Sequence, residues 1–185
     1  MDPTQIYERQ VITYQGITPR LHSNVFVAPG AWIVGDVEIG SDSSVWFNAV
    51  IRGDVNSIRI GAMTNVQDLC MLHVTHKKYS LNIGSKVTIG HGAILHGCTI
   101  RDTVLIGMGA KILDAAIVGS HSLIAAGAVV REGMQVPEGV LVAGVPAKVI
   151  RELRDDEKEQ INQSAENYKN YVRSYSQSKL GVSQT

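Results

Sequence analysis

The chain has 185 residues, with 17 basic and 17 acidic side chains and a formal net charge of zero. That length suits one domain, and the balanced charge excludes a binder of nucleic acid or of an anionic membrane surface, whose affinity rests on a basic field. No apolar run approaches the ~20 residues that span a bilayer, and Met1 to Gln10 lacks an apolar core, so no signal peptide and a cytoplasmic protein are expected.

The first ~20 residues are expected to cap an open edge. From Val27 onward, aliphatic residues recur every six positions: Val27, Ile33, Ile39, Val45 and Ile51; then Ile60, Val66 and Leu72; then Ile83, Ile89 and Leu95; then Ile106, Ile112, Val118, Ile124, Val130, Val136 and Val142. This period matches neither a 3.6-residue helix nor simple alternation. It fits short strands separated by turns, stacked so that each coil buries its aliphatics under the next, a parallel β-helix. Of the 18 glycines, 17 precede residue 150, and their expected role is to supply turn dihedrals closed to other residues. The spacing breaks in three places. Three residues are inserted between Ile51 and Ile60, five between Leu72 and Ile83, and one is missing between Leu95 and Ile100. Such breaks in a solenoid often carry function.

After Ile150 the texture changes to a charged stretch. Residues 151–175 are read as one amphipathic α-helix packed on the solenoid through Leu153, Ile161, Ala165, Tyr168 and Val172, with a flexible tail over 176–185. The whole is then one structural domain, with capped solenoid over 1–150. Cys70 and Cys98 are too few for a disulfide framework and are read as small, reduced, buried residues.

The six-residue period resembles the left-handed β-helix of the hexapeptide-repeat superfamily, which implies three hexads per triangular coil. The hexads at 72, 83, 89 and 95 are successive. His73 and His96 therefore stack on one side of adjacent coils, about 4.8 Å apart. His91 belongs to a different side, so it can join them only from a neighbouring subunit. A three-histidine metal site then implies a cyclic oligomer, a trimer for a triangular prism. The same count puts Arg52 one coil below His73, and Gln67 and Asp68 one coil below Gly90 and His91. Asp54 falls in the first insertion. His22 and His121 are read as structural.

The stretches I-R-G-D (51–54), N-V-Q-D (65–68), M-L-H-V (71–74) and I-G-H-G-A-I-L-H-G-C (89–98) resemble the γ-class carbonic anhydrase family over roughly residues 15–175. The resemblance implies zinc, or ferrous iron, bound by His73 and His96 of one subunit and His91 of the next in a homotrimer. It implies an intersubunit pair of Arg52 with Asp54, and Gln67 and Asp68 that position or activate the bound water. Three neutral histidines leave a position open for a water that ionises near pH ~7 and attacks CO2 to give bicarbonate. His76, in the five-residue insertion, is the expected proton shuttle, and Tyr168 is expected to reach back to the site. Two departures from the family alter the proton path: Val55 replaces an active-site glutamate, and the short T-H-K-K-Y-S (75–80) replaces a long acidic loop. Two alternatives stand beside this reading. One is a CoA-dependent acyltransferase, from the likeness of V-A-G-V-P-A-K-V-I (142–150) to the exit segment of hexapeptide acetyltransferases. The other is a non-catalytic trimeric metal-binding scaffold.

Overall fold

The computed structural model describes residues 10–177. The start of the expected cap and the tail beyond 177 lie outside the described residues. The chain winds into a parallel β-solenoid of about seven coils, each coil giving one short strand to each of three ladders. One buried row runs Val27, Val45, Val66, Ile89, Ile106, Ile124, Val142. A second runs Ile33, Ile51, Leu72, Leu95, Ile112, Val130. The third runs Ile39, Ile60, Ile83, Ile100, Val118, Val136. None of these side chains is more than 4% exposed. Burying each is worth about 1.5–3 kcal/mol, so the six-residue period is the fold's main source of stability.

The three irregularities appear where the spacing breaks. Four residues, Asp54 to Ser57, stand opposite the single Asp36 where the ladder slips between Gly35 and Val37. The five-residue insertion forms a loop between His73 and Leu81, closed by a bridge between Thr75 and Tyr79. The missing residue tightens the corner at Gly97–Cys98, where Gly97 has φ +51.

Ten glycines, Gly109 and Gly127 among them, take the left-handed turn conformation expected, but those at one corner do not. Gly40, Gly61 and Gly84 follow the aliphatic row yet have ordinary φ values. A Cβ on Gly61 would lie 2.5 Å from the carbonyl carbon of Gly84, so the coils stack too closely there for any side chain. Several left-handed corners are instead filled by other residues, among them Asn24, Asp42, Leu69 and His121.

Cys70 continues a corner stack of small residues, Ala31, Ala49, Cys70, Ala93, Ala110 and Ala128. Cys98 is equally buried, and both are free. Burial pushes the Cys70 thiol up to about 11 and the Cys98 thiol up to about 12, and the thiolate is the reactive species. Both should resist alkylation by iodoacetamide in the native protein and react at once in urea. Mass spectrometry that finds either labelled under native conditions would contradict this burial.

The end of the solenoid also differs from expectation. Residues Lys148–Glu152, expected partly as helix, form a strand antiparallel to Val140–Ala143. The strand covers the edge that the last coil would leave unpaired. The helix, here α1, spans Asp155–Gln177. Its start is fixed by Glu157, whose carboxylate accepts the Arg154 backbone N–H at 2.9 Å and the Arg151 guanidinium at 2.7 and 2.8 Å. Ile161 and Ala165 are buried, and Tyr168, Val172 and Tyr175 pack on Phe26 and Trp46. Thus α1 covers one side of the prism, with Ser164 Oγ 3.0 Å from Thr88 Oγ1.

The other two sides are open. One presents Arg20, Glu38, Arg59 and Asn82 outward. The other presents an apolar row, Trp32, Val50, Met71 and Ile94, then Lys111 and Val129. The histidine pair lies on this second open side. No helix among the described residues is long and apolar enough to cross a membrane.

Candidate metal centre

Strands Met71–His73 and Ile94–His96 pair in parallel, with His73 opposite His96. Leu72 and Leu95 point into the core, so alternation turns both imidazoles out of the same face. The ring centroids are 5.1 Å apart, and His73 Nδ1 lies 3.1 Å from His96 Nε2. The other ring nitrogens each meet a carboxylate: His73 Nε2 is 3.1 Å from Asp54 Oδ1, and His96 Nδ1 is 2.6 Å from Asp114 Oδ1. Asp54 also accepts Arg52 Nη1 at 2.5 Å, within the same chain.

Burial opposes ionisation of Asp54, but hydrogen bonds from Arg52 and His73 outweigh it and hold its carboxyl below the usual range. Asp114 is held low in the same way, burial being outweighed by hydrogen bonds from Thr75 and His96. Burial pushes the His73 imidazole down, against the bond to Asp54, which favours the neutral ring a metal needs. An ionised carboxylate can only accept. The protons of neutral His73 and His96 therefore sit on the nitrogens that face Asp54 and Asp114. The two facing nitrogens, His73 Nδ1 and His96 Nε2, then both present lone pairs 3.1 Å apart. Two acceptors at that distance repel, and a cation between them removes the repulsion. The donor set fits zinc or ferrous iron, both of which accept imidazole.

His91 sits at the corner after strand Thr88–Ile89, on the helix-covered side. Its imidazole is about half exposed, with Nδ1 2.8 Å from Asp68 Oδ2, so Nε2 is left free. Gln67 is buried; its Nε2 donates to Asn65 Oδ1 at 3.1 Å, and its Oε1 accepts the His91 backbone N–H at 3.2 Å. Tyr168 packs edge-on against Trp46 at 5.5 Å. Burial, with the charge of Asp68 adding to it, pushes its hydroxyl up to about 12. One chain thus gathers Arg52, Asp54, His73 and His96 on one side, and Gln67, Asp68, His91 and Tyr168 around another. Among the described residues, no group of three His, Cys, Asp or Glu converges on one point. His76 is exposed on the loop closed by Thr75 and Tyr79. His22, read as structural, lies on the polar side with Nε2 2.9 Å from Glu38 Oε1.

Sequence reasoning missed Asp114 and Thr75. Leu95 pairs with Ile112, so Asp114 stands level with Gly97, beside His96. The same hexad count could have found it.

Residues 97–132 match the family described as bacterial transferase hexapeptide (six repeats). The chain is similar to Gamma carbonic anhydrase 1, mitochondrial, of Arabidopsis thaliana, 45% identical over 85% of this chain. It spans only 59% of that protein and 57% of a second Arabidopsis relative. It is 50% identical to a probable carbonic anhydrase of Methanocaldococcus jannaschii, over 80% of this chain and 92% of that protein. Among solved structures, a putative acetyltransferase of Bacillus cereus superposes with a TM-score of 0.87 at 42% identity, covering 89% of this chain and 95% of that one. With half of the aligned residues identical along nearly the whole Methanocaldococcus protein, and histidines stacked as the hexad count requires, the chain belongs to the γ-class carbonic anhydrase-like family of hexapeptide-repeat proteins.

Proposed function

We propose that the protein is a zinc-dependent carbonic anhydrase-like enzyme, converting CO2 and water to bicarbonate and a proton at the interfaces of a homotrimer. One observation carries this reading. His73, His96 and His91 each set one ring nitrogen on a carboxylate, Asp54, Asp114 and Asp68 respectively, and two stand on one side of the prism while the third stands on another. Apolar surface supports the trimer. The histidine side carries Trp32, 43% exposed, and the His91 corner carries Leu69 and Met108, 67% and 59% exposed. Contact between the two would bury this surface and bring His91 Nε2 toward the partner's histidine pair.

Zinc held by three neutral imidazoles supplies Lewis-acid ionisation of water near neutral pH. The chain's own residues do the rest. Asp54 and Asp114 orient the paired imidazoles, with Arg52 fixing Asp54. Gln67, locked by Asn65 and the His91 backbone, holds an amide in fixed orientation at the corner. Asp68 orients His91, and Tyr168 gives that corner an aromatic wall. Val55 packs on the core and offers no proton carrier, so the proton leaves through His76. Ferrous iron suits the same donors. The free, buried thiols fit a reducing compartment such as the cytoplasm; the two Arabidopsis relatives are mitochondrial by name.

Elemental analysis joined to stopped-flow CO2 hydration tests this. We expect one metal per chain, and a rate in weakly buffered solution that rises when imidazole is added, with His76→Ala slower until imidazole restores it. Protein that stays inert after zinc loading would sink the reading. A second reading, acyl transfer, draws on the name of the Bacillus cereus relative and on residues 142–150, which span the turn from Val140–Ala143 into Lys148–Glu152. Thermal stabilisation by acetyl-CoA, with none by bicarbonate, would favour it.

A further inference from the structure

Two of the three register breaks meet at one carboxylate. Asp114 Oδ1 lies 2.6 Å from His96 Nδ1, and its other oxygen, Oδ2, accepts the Thr75 hydroxyl at 2.6 Å. By register, Thr75 belongs to the coil of Leu72, two coils below that of Ile112. A regular hexad would keep it there. The five-residue insertion lifts it, and the loop folds up against the corner of Gly97. A Cβ on Gly97 would lie 2.8 Å from Tyr79 Cβ and 2.3 Å from Asp114 Oδ1. The tightened corner therefore makes the space that the Asp114 carboxylate occupies, and the insertion supplies the hydroxyl that holds its far oxygen.

We infer that Asp114 is a positioning residue for the metal centre, seated by Thr75 and Gly97, and that it fixes His96 as the tautomer protonated on Nδ1. His96 Nε2 is then the nitrogen free to ligate, aimed at the lone pair of His73 Nδ1. Without Asp114 the proton settles on Nε2, which removes one of the two lone pairs. The carboxylate also raises the basicity of the imidazole, and loss of such a partner typically costs about 10–100-fold in metal affinity. Thr75 acts one step further out and should cost less. The inference rests on the zinc reading proposed above and names the residues that set its affinity.

The test measures zinc affinity by chelator competition on the whole protein, together with 15N spectra of the imidazole rings. Asp114→Ala should weaken zinc about 10–100-fold, and Asp114→Asn, which keeps an acceptor, should retain most of the affinity. Thr75→Val should fall between Asp114→Asn and Asp114→Ala. In the zinc-loaded wild-type protein, His96 should carry its proton on Nδ1. Equal affinity in Asp114→Ala and wild type, or His96 protonated on Nε2, would overturn the inference while leaving the zinc site standing. A wild-type protein that holds no zinc sinks the zinc reading instead. The positioning of His96 is then read from the metal-free protein under conditions where the ring is neutral. There Asp114→Ala must move the proton from Nδ1 to Nε2, and an unchanged spectrum counts against the role.

Discussion

Subunits carrying His91→Ala and subunits carrying His96→Ala, each unable to hold zinc alone, should together recover about one quarter of the wild-type sites when co-expressed at equal levels. The number follows from where the histidines stand. His73 and His96 share a ladder, whereas His91 follows a strand of a different ladder and turns to a different corner. In the proposed three-fold ring each site would take a pair from one chain and His91 from the next. An intact site needs a His91→Ala chain on the pair side and a His96→Ala chain on the other. Random mixing satisfies that at about one site in four, and trimers isolated with two different tags should hold one intact site in three. Were all three ligands drawn from one chain, no mixture would restore zinc. His121→Ala mixed with His91→Ala is the control, since His121 belongs to neither cluster. Zinc content and CO2 hydration should rise together in the mixture. Recovery of zinc without hydration would favour the metal-binding scaffold over the enzyme.

That experiment is legible in the sequence because a narrow coil leaves little freedom. Each step inward admits only an aliphatic of the right size, so counting hexads from Val27 gives the same three rows as the observed registers, breaks included. The stacking of His73 on His96 follows from that count once three hexads are assigned to each coil, as the resemblance to the hexapeptide-repeat superfamily implies. What escaped the count depends on tertiary demand. Lys148–Glu152 is exposed at every position, so no alternation marks it as a strand; it exists because Val140–Ala143 needs a partner. Thr75 reaches Asp114 only along the path of an irregular loop, which no periodicity encodes. Asp114 was countable, lying two residues past Ile112, but a single aspartate in a coil carries no signal until the neighbour it meets is known. The carboxylate partners of the histidines were harder to read than the histidines for the same reason.

Gly61→Ala should destabilise the protein by about 3 kcal/mol or more, at the upper end of overpacking costs, and should exceed Gly109→Ala. The two positions separate the explanations for the glycine excess. Gly109 has φ +67 with nothing within 4 Å of where a Cβ would stand, so alanine there meets only the left-handed penalty, about 1–2 kcal/mol. Gly61 has an ordinary φ, but its Cβ would fall 2.5 Å from the Gly84 carbonyl carbon and 2.6 Å from the Ser85 nitrogen. These are backbone atoms held on both sides by ladder hydrogen bonds, Gly61 N to Ile83 O at 2.8 Å and Gly84 N to Ile100 O at 2.8 Å. A flexible side chain could swing away, whereas a coil can move only by breaking its rungs. The shift would also strain the bond from Ala62 N to Ser85 Oγ at 3.1 Å. Urea unfolding of both variants decides the matter: if Gly109→Ala is the worse of the two, turn conformation rather than coil spacing accounts for the glycines. Gly61 lies at the corner opposite the histidine side, so Gly61→Ala protein that remains folded should bind zinc as the wild type does. Coil spacing at such corners and the stack of His73 on His96 are thus set at different edges of the prism: glycine permits the first, and the ladder register gives the second.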